Sequence, residues 1–347
     1  TLAGHAHDPA AGAAIVAGAD IYPEQREMFL ARYRQKNAEV NFYTDYREMI
    51  LKEGLDGVFI TSPDFLHEEQ ACFCLAHKVP VYLEKPLAIS VAGCDRILET
   101  AYQNRTKLVV GHNMRYMAFT RKMKEIIDSG MIGQVKAVWC RHFVSYGGDA
   151  YYRDWHADRR LSNGLLLQKG AHDIDIIHWL AGGYTRQVCG MGNLSVYDKL
   201  PRREAGEERI KAGISSVWTN QHWPPENARD LYPVVDVEDL SMITMHLDNG
   251  VMASYQQCHY TPDSVRNYTV IGTRGRIENY GDYSPDSQIQ VWTQRKDKFR
   301  LEGDATFRVS ADDGNHGGAD PLIVKSFVDA VRGIYDIWST AQAARYS

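Results

Sequence analysis

Short apolar stretches alternate with amphipathic stretches along the first 125 residues of the chain. The apolar stretches are typical of buried strands, and they cover residues 14–18, 40–43, 57–61, 80–83 and 108–111. The stretches between them predict helices, two of which begin directly after Asp45 and Ser90, residue types that favour helix N-caps. Repeated strand–helix units of about 25 residues favour an α/β fold with a doubly wound parallel sheet.

The pattern changes after about residue 130. A long strand over residues 135–144 and a helix from about Lys169 to Leu180 are followed by a region that is mostly strands. We predict these strands over residues 240–247, 251–260, 268–273 and 288–293, with a last helix over 322–332. The pattern therefore predicts a large, mostly antiparallel sheet in a second domain. We divide the chain at residues 1–125, 126–330 and 331–347, the last part being a C-terminal helix.

Composition narrows the function classes. The chain has 347 residues, a mean hydropathy of −0.40 and a net charge of −5, which are ordinary values for a globular protein of two domains. The mild acidic excess argues against nucleic-acid binding, and no apolar run reaches the roughly 20 residues of a membrane span. Six cysteines without CxxC or zinc-ligand spacing predict reduced thiols, no metal and a cytoplasmic protein.

Asp20, at the end of an apolar stretch, is a candidate for nucleotide binding. A carboxylate at such a strand end accepts hydrogen bonds from a ribose diol and repels a 2′-phosphate, which favours NAD over NADP. Ile21 follows it, so no arginine or serine is present to bind that phosphate. No glycine-rich turn precedes Asp20, and we expect the first strand and this turn to lie before Thr1. A plain strand-end aspartate is the alternative.

Lys85 and His172 are the two candidates for catalysis. Lys85 follows a strand and precedes Pro86, which can fix a rigid, even cis, bond and direct the lysine toward a ligand that forms an alkoxide. His172 shares a helix face with Asp175, and a histidine is a suitable general base for a hydroxyl proton. Taken alone, a surface lysine and a structural histidine are the simpler interpretations.

These segments together resemble one family, the glucose–fructose oxidoreductases, inositol dehydrogenases and related sugar oxidoreductases (Gfo/Idh/MocA). The resemblance covers about residues 1–330. The segments that carry it are Tyr43-Thr44-Asp45-Tyr46, residues 56–67 (DGVFITSPDFLH), residues 82–88 (YLEKPLA), residues 111–116 (GHNMRY), Ile132-Gly133-Gln134-Val135 and residues 170–175 (GAHDID).

The resemblance implies an N-terminal Rossmann domain that binds NAD and a C-terminal α/β domain that binds substrate and forms the oligomer through its open sheet, as a homodimer or homotetramer. It implies that Lys85 and His172 are the catalytic residues. The implied cofactor contacts are Asp20, Ile21, Thr61, Ser62, Pro63, His67, Glu84, Lys85, Asn113, Arg153 and Trp155. The candidate substrate contacts are Lys85, Arg115, Tyr152, Trp155, Lys169 and His172.

One position departs from the family pattern. Typical dehydrogenases of the family carry an aspartate four residues before the histidine, and here that position is Gln168, followed by Lys169. A glutamine cannot share a proton, and a nearby ammonium lowers the basicity of His172. Lys169 is therefore a third catalytic candidate, which either assists the reaction or binds an acidic or polyhydroxy substrate; a solvent-exposed lysine is the alternative.

Three functions remain open from the sequence. The first is an NAD-dependent dehydrogenase that oxidises a hydroxyl of a sugar, sugar derivative or cyclitol. The second is an NAD-dependent glycoside hydrolase that oxidises a sugar carbon, eliminates the aglycone, adds water and reduces the carbon again. The third is a non-catalytic NAD-binding protein, which the presence of both Lys85 and His172 disfavours.

Overall fold

The computed structural model describes residues 2–7, 10–207, 223–282, 284, 286–310, 315–334 and 338–347. The chain divides into two units, one formed by Thr1–Tyr116 with Gly314–Arg345 and the other by Met117–Asp313 with Tyr346–Ser347. The first boundary thus lies before, not at, the predicted residue 125. The helix Ala319–Val331 belongs to the first unit, contrary to our division, because it packs against the 3-10 helices Leu2–His7 and Asn113–Tyr116.

The first unit contains five short parallel strands. Two of them pair with each other and three form a separate sheet in the order β3-β4-β5. The strands are β1 (Ala17–Ala19), β2 (Asn41–Tyr43), β3 (Val58–Ile60), β4 (Val81–Leu83) and β5 (Leu108–Val110). The helices between them are α1 (Gln25–Tyr33), α2 (Tyr46–Lys52), α3 (His67–Ala76) and α4 (Val91–Asn104), with a 3-10 turn at Asp64–Leu66. The predicted Rossmann-type alternation is confirmed.

Local chemistry explains two of the helix starts. The Asp45 carboxylate accepts a hydrogen bond from the Arg47 backbone N–H at 2.9 Å, and α2 begins at the next residue. The Ser90 hydroxyl oxygen accepts a bond from the Gly93 N–H at 3.0 Å and caps α4 in the same way. Each cap satisfies a backbone donor that the first helical turn leaves without an intrahelical acceptor. Both predicted N-caps are therefore confirmed.

The second unit is built on an eight-stranded sheet in the order β13-β12-β11-β10-β6-β9-β8-β7, in which only the β6–β9 pair is parallel. Its strands are β6 (Val135–Phe143), β7 (Thr185–Asn193), β8 (Leu240–Leu247), β9 (Met252–Cys258), β10 (Val265–Gly272), β11 (Arg276–Tyr280), β12 (Gln288–Trp292) and β13 (Ala305–Arg308). The predicted bounds of β8 are confirmed, and its residues alternate between buried and exposed as a half-buried strand requires.

The helices of this unit are α5 (Ala118–Asp128), α6 (Gly147–Ala150), α7 (Arg159–Ser162) and α8 (Leu165–Ala181), and short 3-10 turns lie at Trp155–Ala157, Tyr197–Lys199 and Pro225–Asn227. Helix α8 packs on β6 and β9. It begins four residues earlier than predicted, after Gly164, whose φ of 111° is a conformation that residues with a Cβ rarely adopt.

The C-terminal part of the chain forms two helices, the first close to the helix expected over residues 322–332 and the second within the expected C-terminal helix over residues 331–347. They are α9 (Ala319–Val331) and α10 (Ala341–Tyr346), and a 3-10 turn at Asn315–Gly318 precedes α9. The Phe327 ring on α9 lies 5.1 Å from the Phe59 ring and 5.9 Å from the Tyr82 ring, so α9 contributes to the core of the first unit. Within the described residues, no helix has the length and apolar character that crossing a bilayer needs.

Candidate active site

The strands of the first unit bring most of the predicted cofactor residues to one edge. Because β3, β4 and β5 are parallel neighbours, the residues that follow them share the carboxyl edge of the sheet. These residues are Thr61, Ser62 and Pro63 after β3, Glu84 and Lys85 after β4, and Asn113 after β5. Asp20 follows β1 in the two-stranded pair, where its carboxylate accepts from the Tyr22 N–H at 2.9 Å, and Ile21 beside it is 71% exposed.

His67 joins the loops that follow β3 and β4. Its side chain is fully buried, with Nδ1 2.8 Å from the carbonyl oxygen of Pro86 and Nε2 3.0 Å from that of Ser62. Burial lowers the pKa of His67, although both carbonyl contacts favour its protonated form. The Lys85–Pro86 bond is cis, as the sequence suggested it could be. His67 therefore holds the Lys85 loop in place rather than reacting itself.

Two carboxyl groups lie in the electrostatic field of Lys85. Burial raises the pKa of Asp64 to about 7, against the opposing charge of Lys85. Burial likewise raises the pKa of Glu84, whose Oε2 accepts from the Lys85 N–H at 3.2 Å and whose Oε1 accepts from the Tyr82 hydroxyl at 3.2 Å. Sequence reasoning missed Asp64, although it directly follows the Thr61–Pro63 segment. The raised pKa values favour the neutral forms of the two carboxyls, which leaves the charge of the Lys85 ammonium less compensated and able to stabilise an oxyanion.

The side-chain oxygen of Asn113 is a hydrogen-bond acceptor that suits a nucleotide. Its Nδ2 donates to Asp320 Oδ1 at 3.1 Å, and Asp320 also lies 3.0 Å from His316 Nδ1. Its own Oδ1 is buried and has no hydrogen-bond partner among the residues that the structure describes. Such an oxygen needs a donor to offset its burial, and a nicotinamide dinucleotide carries amide and hydroxyl donors. The residues at this edge, with the carboxylate of Asp20, therefore fit NAD.

Arg115 stays a prediction as a substrate contact. Its side chain is 7% exposed, and its guanidinium donates to the carbonyl oxygen of Trp338. The Trp338 ring in turn stacks on Tyr116 with 5.2 Å between the ring centroids. Arg115 is thus a structural residue that holds the C-terminal segment to the first unit.

In the second unit, α8 carries His172 and Lys169 one helical turn apart. His172 is 8% exposed, and Gln168, at the position where the family has an aspartate, is buried. Asp175 is also buried on this helix. The general-base candidate thus stands on a rigid, largely buried element.

Asp173 is the centre of a buried polar network that sequence reasoning missed. Its Oδ1 lies 2.8 Å from Arg266 Nε and accepts from the Tyr268 hydroxyl, and its Oδ2 lies 3.0 Å from His142 Nδ1. Burial alone would raise the pKa of Asp173, but Arg266 and His142 hold it well below its usual range. Burial and Arg266 lower the pKa of His142 to about 4. Asp173 is therefore an anion at neutral pH, and His142 is neutral.

Lys169 lies close to this network. Its Nζ is 5.0 Å from the centroid of the Tyr151 ring and 5.8 Å from that of Tyr146. Burial and the charge of Arg266 lower the pKa of Lys169 to about 7, and Asp173 only partly opposes them. The departure from the family pattern has therefore produced an ammonium that loses its proton near neutral pH, which is unlike a solvent-exposed lysine.

Three further predicted contacts lie in the segment after α6. Tyr152 stays a prediction as a substrate contact; it is fully buried, donates to the Glu238 carbonyl at 2.7 Å and stacks on Tyr197 at 4.2 Å. Arg153 donates to the Arg229 carbonyl at 3.0 Å. Trp155 stacks on His156 with 3.8 Å between the ring centroids. Tyr151, not Tyr152, lies beside Lys169.

A metal centre has no ligand set in the described part of the chain. Within residues 2–7, 10–207, 223–282, 284, 286–310, 315–334 and 338–347, no three histidine, cysteine, aspartate or glutamate side chains stand in a position to hold a metal ion.

Comparison with known proteins gives the family. Residues 2–112 match the model of an oxidoreductase family with an NAD-binding Rossmann fold, and residues 120–278 match the GFO/IDH/MocA C-terminal domain. The chain is 27% identical over 339 residues to the oxidoreductase YteT of Bacillus subtilis strain 168, covering 87% of this chain and 79% of YteT.

A second relative is inositol 2-dehydrogenase of Burkholderia multivorans, which is 34% identical over 172 residues. That match covers 49% of this chain and only 48% of the relative, so it spans about half of each protein. Among solved structures, levoglucosan dehydrogenase in complex with NADH and levoglucosan superposes with a TM-score of 0.75 at 17% identity, covering 99% of this chain and 91% of that one.

The two family matches together span more than three quarters of the 347 residues. They include the strand edge with Lys85 and the helix with His172, and the structural likeness supports the same fold over almost the whole chain. The protein is an oxidoreductase of the Gfo/Idh/MocA family, with an NAD-binding Rossmann domain.

Proposed function

We propose that the protein oxidises a hydroxyl group of a sugar, sugar derivative or cyclitol. The observation that carries this proposal is the environment of Lys85, a lysine at the carboxyl edge of a Rossmann sheet beside the buried carboxyl of Asp64 and the half-buried carboxyl of Glu84. The relatives named inositol 2-dehydrogenase and levoglucosan dehydrogenase support a polyhydroxylated substrate.

In the proposed reaction, His172 accepts the proton of the substrate hydroxyl as general base. Lys85 donates a hydrogen bond to the same oxygen and stabilises the negative charge that develops on it. Bound NAD would supply the hydride acceptor for the substrate carbon. Asp20, Asn113 and the residues after β3 and β4 would hold NAD, and His67 keeps the Lys85 loop in position.

The proposal is tested by measuring NADH absorbance with the purified protein, NAD and a panel of inositols, anhydrosugars and aldoses. We expect NADH to form with at least one of them. We expect Lys85→Met to lower kcat/KM by about 10²–10³-fold, a loss typical of a removed oxyanion contact. The proposal is contradicted if the protein binds NAD but neither oxidises a member of the panel nor catalyses the reverse reduction with NADH.

The glycoside hydrolase alternative is favoured by one observation, the Gln168 that replaces the family aspartate. It predicts release of the aglycone from an aryl glycoside without accumulation of NADH. Measuring both products in one reaction separates the two functions, because a dehydrogenase accumulates NADH and leaves the glycosidic bond intact.

We further propose that the eight-stranded sheet forms a homo-oligomer. Its cross-strand pairing places four exposed apolar side chains on one face, namely Trp139, Met191, Met242 and Met252, each 49–82% exposed. Such a face supports association with a second copy of the chain. Light scattering after size exclusion tests this: we expect a dimer or tetramer, and Met242→Lys to shift it toward the monomer. A monomeric wild-type protein refutes the proposal.

A further inference from the structure

Lys169 and His259 border the same aromatic ring in the second unit. Lys169 Nζ lies 5.0 Å from the centroid of the Tyr151 ring. The His259 ring lies 5.7 Å from the same ring, nearly perpendicular to it at 86°. Lys169 also contributes to lowering the pKa of His259, as expected for neighbouring groups that are both cationic when protonated. The ammonium and the imidazole therefore belong to one small polar region.

His259 lacks the partners that a buried polar group normally has. It is fully buried, and neither of its ring nitrogens has a hydrogen-bond partner among the described residues. The Lys169 side chain is half-buried. Within the same described part of the chain its ammonium forms no hydrogen bond or ion pair, and it contacts the rings of Tyr151 and Tyr146. Since an unpaired buried polar group is costly, His259 marks a place where a ligand supplies the missing partner.

The charge of the region favours an anionic ligand. Asp173 is the carboxylate that favours the charged form of Lys169, but it already lies against Arg266 and His142 and accepts from Tyr268. The positive charge of Lys169 is therefore only partly compensated. A neutral sugar hydroxyl can accept a hydrogen bond from this ammonium, but only an anion also balances its charge.

We propose that Lys169 and His259 form a subsite for the carboxylate of an acidic sugar, so that the substrate is a hexuronate or a related sugar acid. This proposal rests on the proposed function, because it names the class of sugar that the dehydrogenase takes. Lys169 donates to the carboxylate through its ammonium, and His259 donates through the N–H of its neutral imidazole. The substitution of the family aspartate removes a negative charge that would repel this substrate.

The pH dependence of binding follows from the groups that face Lys169. They are Asp173 on its own helix, His142 on β6, Tyr146 and Tyr151 after β6, His259 after β9 and Arg266 on β10. Carboxylate binding needs the protonated lysine, whose pKa in the free protein is about 7. We therefore expect the Kd for a hexuronate to rise as the pH increases above about 7, and binding to be accompanied by proton uptake.

The test is a binding measurement that does not require turnover. Isothermal titration of the protein–NADH complex compares D-glucuronate and D-galacturonate with D-glucose and D-galactose, because the reduced cofactor cannot oxidise any of them. We expect at least one hexuronate to bind about tenfold or more tightly than its matched hexose. Lys169→Met removes this preference, Lys169→Arg retains part of it, and His259→Phe weakens hexuronate binding alone.

Lys52→Met is the matched control, since Lys52 is an exposed lysine on α2 with 62% of its side chain accessible. Equal affinities for acids and hexoses in the wild type overturn the proposal, as does a hexuronate preference that survives in a folded Lys169→Met protein. A fall in kcat for acidic and neutral substrates alike, with unchanged binding, assigns Lys169 to proton transfer instead. A further outcome separates the two proposals. If hexuronates bind in a way that depends on Lys169 but no NADH forms from NAD, the dehydrogenase proposal is contradicted and the subsite proposal is supported.

Discussion

Replacing Asp173 with asparagine tests whether the buried network in the second unit stabilises the fold. The Asp173 side chain is inaccessible to solvent, and the Arg266 side chain beside it is 11% exposed. Asp173→Asn keeps the shape of the side chain and removes its charge. Arg266 then keeps its own charge in a buried position, and the contact of Asp173 with His142 loses its electrostatic component.

The size of the effect follows from the burial of the pair. Removing one partner of a buried ion pair costs about 3–5 kcal/mol, because the remaining charge stays desolvated and uncompensated. For a unit of this size, each kcal/mol lowers the unfolding midpoint by about 2–4 °C, so we expect a fall of roughly 6–20 °C. In the double variant Asp173→Asn with Arg266→Met, we expect the loss in free energy of unfolding to be at least about 1 kcal/mol smaller than the sum of the losses in the two single variants.

The assay is thermal and urea unfolding followed by circular dichroism, with Glu48→Gln as the control. Glu48 pairs with Lys52 on α2, where the side chains are 46% and 62% exposed, so its loss should change stability by about 0.5 kcal/mol or less. A shift for Asp173→Asn that is no larger than the shift for Glu48→Gln refutes the reasoning. So does strict additivity in the double variant, because it would mean that the two charges do not interact.

Two further predictions concern stability. The pKa of His142 is about 4 in the folded protein and about 6.5 in the unfolded chain. The contribution of neutral His142 to the free energy of unfolding, on the order of 3 kcal/mol, is therefore complete above pH 6.5 and is lost as the pH falls toward 4. In urea titrations at several pH values, His142→Phe should flatten this slope, whereas the exposed His77→Gln should leave it unchanged. Gly18→Ala should cost about 1–3 kcal/mol, because a Cβ there would lie 2.4 Å from the Phe29 ring. Gly54→Ala, with no atom within 4 Å of the added Cβ, should change stability by less than about 1 kcal/mol, and equal effects of the two would contradict this packing argument.

Local sequence signals predicted those parts of the fold that local chemistry determines. The caps at Asp45 and Ser90 and the alternation in β8 needed only a few neighbouring residues. Strand β7 was missed because nearly all of its residues are exposed, so its sequence lacks the apolar alternation that marks a half-buried strand. The division between the units was displaced for a different reason. Helix α9 joins the first unit through packing with residues more than two hundred positions away, which no local pattern contains.

In the candidate site, too, the sequence predicted the residues that belong to local motifs and missed those that only the fold brings together. Lys85 and His172 were found because each belongs to a short contiguous motif. The partners of Asp173 were missed because His142 and Arg266 come from strands far apart in the sequence, which only the sheet order β10-β6-β9 brings together.

The state of Lys169 follows from the same assembly. A lysine in isolation has a pKa near 10.4 and offers a plain positive charge. Here burial and the charge of Arg266 bring the pKa to about 7, so that Lys169 changes charge near neutral pH. Asp173 prevents a larger fall, since its negative charge favours the ammonium. Lys169 is visible in the sequence, but its pKa depends on charged groups, Arg266 and Asp173, that meet it only in the folded protein.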